Sequence, residues 1–288
     1  MVEPLEATPR GLSTSSFRAA SPHDPHRTQP APASGREETF VAHHFDSRFV
    51  TVDGLRAHFV TPADATSGNS PAVLLLPMIT GIGEQVREFA ELIAGETGAI
   101  ALTWDPWHGK SSDDTPFEEL HELHAQLDDA TVLDEQQRLV DYLTTEHGVA
   151  SVGVIGWCLG GRFALILGAR DPRIDSVVAY HPTLPGEIQP HHSVDAVAAA
   201  ADIPGPVMVH YPGKDSLVPR ENFLGLQAAL QGRDTDAPTI IHLYPRAKHG
   251  FSDSRRHNEQ VNADAWAMSW PQTLDFLRTS ARLREPAV

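Results

Sequence analysis

Three side chains in this sequence could act together as a nucleophile, a base and its orienting acid: Cys158, His249 and Asp215. Cys158 sits in Gly156-Trp157-Cys158-Leu159-Gly160-Gly161, after the apolar run Val152-Gly153-Val154-Ile155 and before Phe163, Ala164, Leu165 and Leu167 at helical spacing. A strand that turns sharply through a nucleophile into a helix is a nucleophile elbow, usually built on serine. The turn strains the nucleophile's backbone and leaves no room for bulk two positions to either side, where Gly156 and Gly160 stand. Most free cysteines are small buried hydrophobes. This one, the only cysteine in 288 residues, is framed for attack. The thiolate is the attacking species, and the dipole of the helix that Cys158 opens favours it.

Elbow nucleophiles find their acid, then their histidine, later in the chain. Asp215 lies in the loop just after one predicted strand and His249 in the loop just after the next, where the carboxyl ends of parallel strands gather a site. In that arrangement His249 takes the proton and Asp215 fixes its tautomer. Singly, Asp215 reads as a turn aspartate and His249 as one of 16 histidines; their order carries the assignment. The oxyanion of an attacked carbonyl needs backbone donors. Leu159 supplies one N–H, and Met78 or Ile79 the second, because Pro77 has none.

The elements that must hold these residues can be read in order. Residues 1–38 are rich in Pro, Ser, Thr and Ala without periodicity and predict a disordered tail; residues 39–288 form the folded domain. Asp53-Gly54 between two alternating runs predicts a hairpin. The runs Ala72–Leu76, Ala99–Trp104, Val152–Gly156, Ile174–Tyr180, Val207–Tyr211 and Thr239–Tyr244 predict strands, the continuous apolar ones buried on both faces. Helical patterns lie between them: one from about Val86 to Gly95 or Gly98, a polar one from about Pro116 to Glu146, one from Asn222 to Gln231, and a last one through Trp266 and Leu277. This alternation predicts an α/β class with a mostly parallel, doubly wound sheet, helices on both faces and an antiparallel N-terminal hairpin.

Composition narrows the function. A formal net charge of −16 argues against nucleic acid or an anionic membrane as partner. No apolar stretch reaches the length of a membrane span, and a lone cysteine gives no intrachain disulfide, so a cytoplasmic enzyme is expected, as monomer or homodimer. His121-Glu122-Leu123-His124 has the wrong spacing for a zinc-protease helix and reads as a solvated face; no metal and no cofactor are expected. Trp107 and His108 after one strand, and Tyr180 and His181 after another, are candidates for walls of a substrate pocket, with Met78.

The Gly-Trp-Cys-Leu-Gly-Gly segment, then Gly213-Lys214-Asp215 with Val218-Pro219, then Lys248-His249-Gly250-Phe251, together resemble the dienelactone hydrolase family over about residues 45–280. The resemblance implies an α/β-hydrolase fold without a large lid and hydrolysis of a small cyclic enol ester through an acyl-cysteine. It places the triad on Cys158, Asp215 and His249, and the oxyanion donors on Leu159 and Ile79. Two positions depart from the family pattern. Met78 holds the place of a glutamate that pairs with the resting cysteine or its histidine. Asp253 stands where an arginine binds the substrate carboxylate, so a dienelactone carboxylate is not the expected ligand. The expected function is a cysteine-dependent hydrolase of a small ester or lactone. An acyltransferase or thioesterase on the same triad, or a slow-turnover binding or sensing protein, is the alternative.

Overall fold

The computed structural model describes residues 45–66, 68, 70–185 and 192–282; the tail expected over 1–38 lies outside them. Strands β1 (Phe45–Val52) and β2 (Leu55–Pro62) form the hairpin. Its Asp53 and Gly54 take φ of 48° and 82°, both positive, as a two-residue turn matching strand twist requires. Next come β3 (Ala72–Leu76), β4 (Ile100–Trp104), β5 (Val152–Trp157), β6 (Ile174–Tyr180) and β7 (Val207–Pro212), in which every residue is buried. The last strand, β8 (Thr239–Tyr244), is only partly covered because it is an edge. The sheet order is β1-β2-β4-β3-β5-β6-β7-β8, parallel from β4 onwards and antiparallel at β1–β2 and β2–β4.

Helices cover both faces, which is why the central strands carry no alternation. Helix α1 (Glu84–Thr97) ends at Gly98, whose φ of 73° only glycine adopts freely. The polar stretch predicted as one helical segment is two, α2 (Phe117–His124) and α3 (Asp129–Asp141). The break comes because the Asp128 side chain accepts the Thr131 N–H at 3.0 Å and so starts a new helix. A single π-turn, Tyr142–Glu146, extends α3. Helix α4 (Leu159–Arg170) follows the elbow, then the short α5 (Ala196–Ala199), α6 (Arg220–Gln231) and the long α7 (Gln260–Arg282). No helix among the described residues is long and apolar enough to cross a membrane.

Two contacts fix the elbow strand from either side. On the face covered by α1 and α7, Trp157 stacks on Phe89 (ring centroids 5.1 Å apart), which also stacks on Trp266 (5.0 Å). On the other face Arg162, in the first turn of α4, makes a buried two-pronged pair with Asp129 of α3 (2.7 and 2.8 Å). The same guanidinium donates to the Val194 carbonyl at 2.7 Å, while the Val194 N–H donates back to Asp129 at 2.9 Å. The backbone groups satisfy what is left over of both charges, so the pair is well compensated. Removing one partner strands the other. Arg162→Leu should lower unfolding free energy by about 3–5 kcal/mol in denaturant titration, because Asp129 stays buried and unpaired.

Candidate active site

The elbow follows from a close approach of backbones. Cys158 has φ 54° and ψ −111°, outside the comfortable regions for a residue with a side chain. A Cβ on Gly160 would lie 1.9 Å from the Leu76 carbonyl oxygen, and one on Gly156 would lie 2.0 Å from the Gly160 oxygen. Only glycine fits at either position. The strained turn is held by the Cys158 N–H donating to Tyr180 O (3.0 Å) and by Cys158 O accepting from Arg162 (3.1 Å) and Thr183 (3.0 Å).

Asp215 and His249 meet. The histidine Nδ1–H donates to Asp215 Oδ2 at 2.8 Å, and the carboxylate side chain is fully buried. Its other oxygen accepts the N–H groups of Leu217 (2.8 Å) and Val218 (3.0 Å), so the acid cannot rotate away. This leaves Nε2 of His249, buried and without a hydrogen-bond partner, as the nitrogen available to a reacting group. Burial pushes the Cys158 thiol up, but the charge of His249 outweighs it, helped by the Thr183 hydroxyl and the Leu159 N–H, and holds the thiol below its ordinary value. Burial pulls His249 down; the Cys158 charge and the Asp215 bond overcome it and hold the imidazole above its ordinary value. The two shifts describe one coupled pair, thiolate with imidazolium.

A cavity of about 660 Å³ opens over this pair. Met78, Ile79, Cys158, Leu159, Thr183 and His249 form its reactive end. Phe117, His121 and His124 of α2 form one wall; Phe117 and His121 are also exposed to solvent. Asp253 and Arg255 form part of another, with Arg256. The Asp253 carboxylate is engaged by Arg255 through Nε (3.0 Å) and Nη2 (2.8 Å) and accepts its N–H. Its charge is therefore met locally. Arg256 lies against Gly250 and makes no ion pair among the described residues.

The four aromatic candidates for pocket walls take other places. Trp107 is buried beneath the loop after β3, where its Nε1–H donates to Ile79 O at 2.7 Å and its ring lies under Gly81. It clamps the loop that carries the Ile79 N–H. His108 turns outward, its side chain 63% exposed, 3.8 Å from Glu135. Tyr180 is fully buried, hydrogen-bonded to Thr273 at 2.7 Å. His181, also fully buried, bonds Ser252 at 2.8 Å and sets its ring edge-on to His249 with centroids 5.0 Å apart. Burial, then the charge of His249, holds His181 well below the ordinary histidine value, so it backs the pair as a neutral ring. Position at strand ends puts all four near the site; a sequence does not say which way a loop side chain turns. Thr183, with its hydroxyl 3.1 Å from the sulfur, follows β6 with no motif to mark it.

The family model for the dienelactone hydrolase family matches residues 55–281. The carboxymethylenebutenolidase of Rhodococcus opacus is 29% identical over 219 residues, covering 74% of this chain and 83% of that one. Among solved structures, a dienelactone hydrolase-like promiscuous phosphotriesterase from metagenomic libraries superposes with a TM-score of 0.62 at 21% identity, over 81% of this chain and 97% of that one. A cold-adapted esterase from an Arctic intertidal metagenomic library, in its PEG-bound complex, does so with 0.59 at 22%, over 86% and 98%. Both share the fold. The chain belongs to the dienelactone hydrolase family of α/β-hydrolases. It is a carboxymethylenebutenolidase-like carboxylic ester hydrolase.

The thiolate–imidazolium pairing makes a signed prediction. In His249→Gln the lowering charge is gone and burial dominates, so the thiol pKa rises above its ordinary value. Alkylation of Cys158 by iodoacetamide at neutral pH should slow by about tenfold or more. An unchanged rate would mean that the sulfur does not sense the histidine.

Proposed function

We propose that Cys158 is the nucleophile of this hydrolase and that it opens a small ester or lactone through an acyl-cysteine. The observation that carries this is the 2.8 Å bond from His249 to a fully buried Asp215, which leaves the other imidazole nitrogen free beside an elbow thiol. The thiolate attacks the carbonyl carbon, a C–S bond forms, and the carbonyl π pair becomes an oxyanion. The N–H groups of Leu159 and Ile79 receive that charge. As the intermediate collapses the C–O bond breaks, and the leaving oxygen takes the proton from His249 Nε2. His249, now neutral, accepts a proton from water, whose oxygen attacks the thioester. The C–S bond then breaks and the thiolate and imidazolium return.

The cavity limits the substrate. Its volume suits a small molecule, with Met78, Phe117 and Leu217 offering apolar surface and Arg256 a cation without a carboxylate partner among the described residues. A small lactone or ester carrying an anionic group fits this lining, in keeping with the butenolide named for the Rhodococcus opacus relative. The Asp253 departure does not stand against it, since Arg255 occupies that carboxylate.

Hydrolysis of a short-chain aryl ester should show a burst of product in the wild type, and Cys158→Ala should lose turnover by about 10³-fold or more. Equal rates in wild type, Cys158→Ala and Cys158→Ser would make the thiol structural and favour a binding protein on this fold.

A further inference from the structure

We propose that Thr183 is a further catalytic residue, whose hydroxyl donates a hydrogen bond to the Cys158 thiolate and holds the sulfur in place at the cavity floor. The proposal rests on Cys158 being the nucleophile. Thr183 Oγ1 lies 3.1 Å from the sulfur, and the Thr183 N–H donates to Cys158 O at 3.0 Å. Side chain and main chain therefore tie the same two residues together, which fixes hydroxyl and sulfur relative to each other. The chain is brought there by the end of β6, where Tyr180 O accepts the Cys158 N–H and the His181 N–H donates to His210 O at 2.8 Å.

The direction of the bond follows from proton inventory. A thiolate has no proton to give, whereas a threonine hydroxyl always has one. His249 faces the sulfur as its charge partner, and Met78 offers no polar atom beyond a thioether. Thr183 is the further side chain that solvates the anion, through its hydroxyl. Its use is greatest at two moments. Before acylation it keeps the sulfur ionised despite burial. In deacylation the C–S electron pair falls back onto sulfur, and the hydroxyl meets that returning charge. While the acyl group is attached the sulfur is neutral and accepts weakly, so the bond favours the thiolate on either side of the intermediate. Thr183 also lines the adjoining 310 Å³ cavity.

The charged and titratable groups over the sulfur are His249, His121, His124, Asp253, Arg255 and Arg256. Replacing threonine by valine alters none of them and keeps the shape of the side chain. Because the chain holds one cysteine, iodoacetamide reports on Cys158 alone, without any substrate. The pH dependence of alkylation in full-length Thr183→Val should shift upward by about one unit, and Thr183→Ser should restore the wild-type profile. Burst experiments on Thr183→Val should show slower deacylation with the acyl-enzyme still formed. A Thr183→Val protein that melts with the wild type and alkylates on the wild-type pH profile overturns the proposal. If valine disturbs folding, Thr183→Ala against Thr183→Ser gives the same comparison. Failure of the wild type to turn over esters would instead strike the hydrolase reading, and the alkylation profiles would still decide the role of Thr183.

Discussion

At Gly160 the first turn of α4 passes against the end of β3, with the glycine N–H bonded to Pro77 O at 3.1 Å and no space for a Cβ. The rest of the site depends on that contact. It sets the Leu159 N–H beside the loop that carries the Ile79 N–H, two donors from segments far apart in sequence. It also forces the positive φ of Cys158, which lifts the sulfur out of the strand and towards the cavity. The strain is borne by surroundings that cannot yield: a buried aromatic stack on one face of β5 and a buried ion pair under α4 on the other.

The electrostatics follow a similar logic of burial with compensation. A thiol, an imidazole and a carboxylate are taken out of water together; the thiol and the imidazole favour each other's charged form, and the carboxylate bonds the imidazole. Behind them His181 stays neutral, so the imidazolium of His249 has no second charge pressing on it from the protein side. The formal net charge of the chain is −16, yet the cavity wall bears Arg255 and Arg256 beside Asp253.

The sheet and the elbow were legible because local sequence determines them. Glycine at 156 and 160 follows from backbone clearance, the apolar runs from two-sided burial, and the hairpin from Asp53-Gly54. The meeting of Asp215 and His249 was legible through chain order alone. What turned inward or outward at the loops was not. Trp107, expected as a pocket wall, bonds Ile79 O, and the direction of an indole after a strand depends on how the neighbouring loop returns. His121 and His124 lie on a short helix whose apolar residues are Phe117, Leu120 and Leu123, and only the packing of that helix shows which side meets the cavity. Asp253 looked like a repelling charge because its partner two residues on could not be seen to fold back. Thr183 reaches the sulfur through space, with no spacing rule to announce it.

The division of labour between strand ends and α2 bears on how such a protein diversifies. The elbow thiol sits between a strand and a helix that are buried almost throughout, where almost any replacement disturbs packing. Helix α2 contributes Phe117, His121 and His124 to the cavity yet buries only Leu120 in the core. Three of its cavity-facing positions can therefore drift with small effect on folding, and each change reshapes what the thiol meets. Selection for a new ligand has a region in which to work that leaves the chemistry intact, so relatives can share a mechanism and part company over substrates.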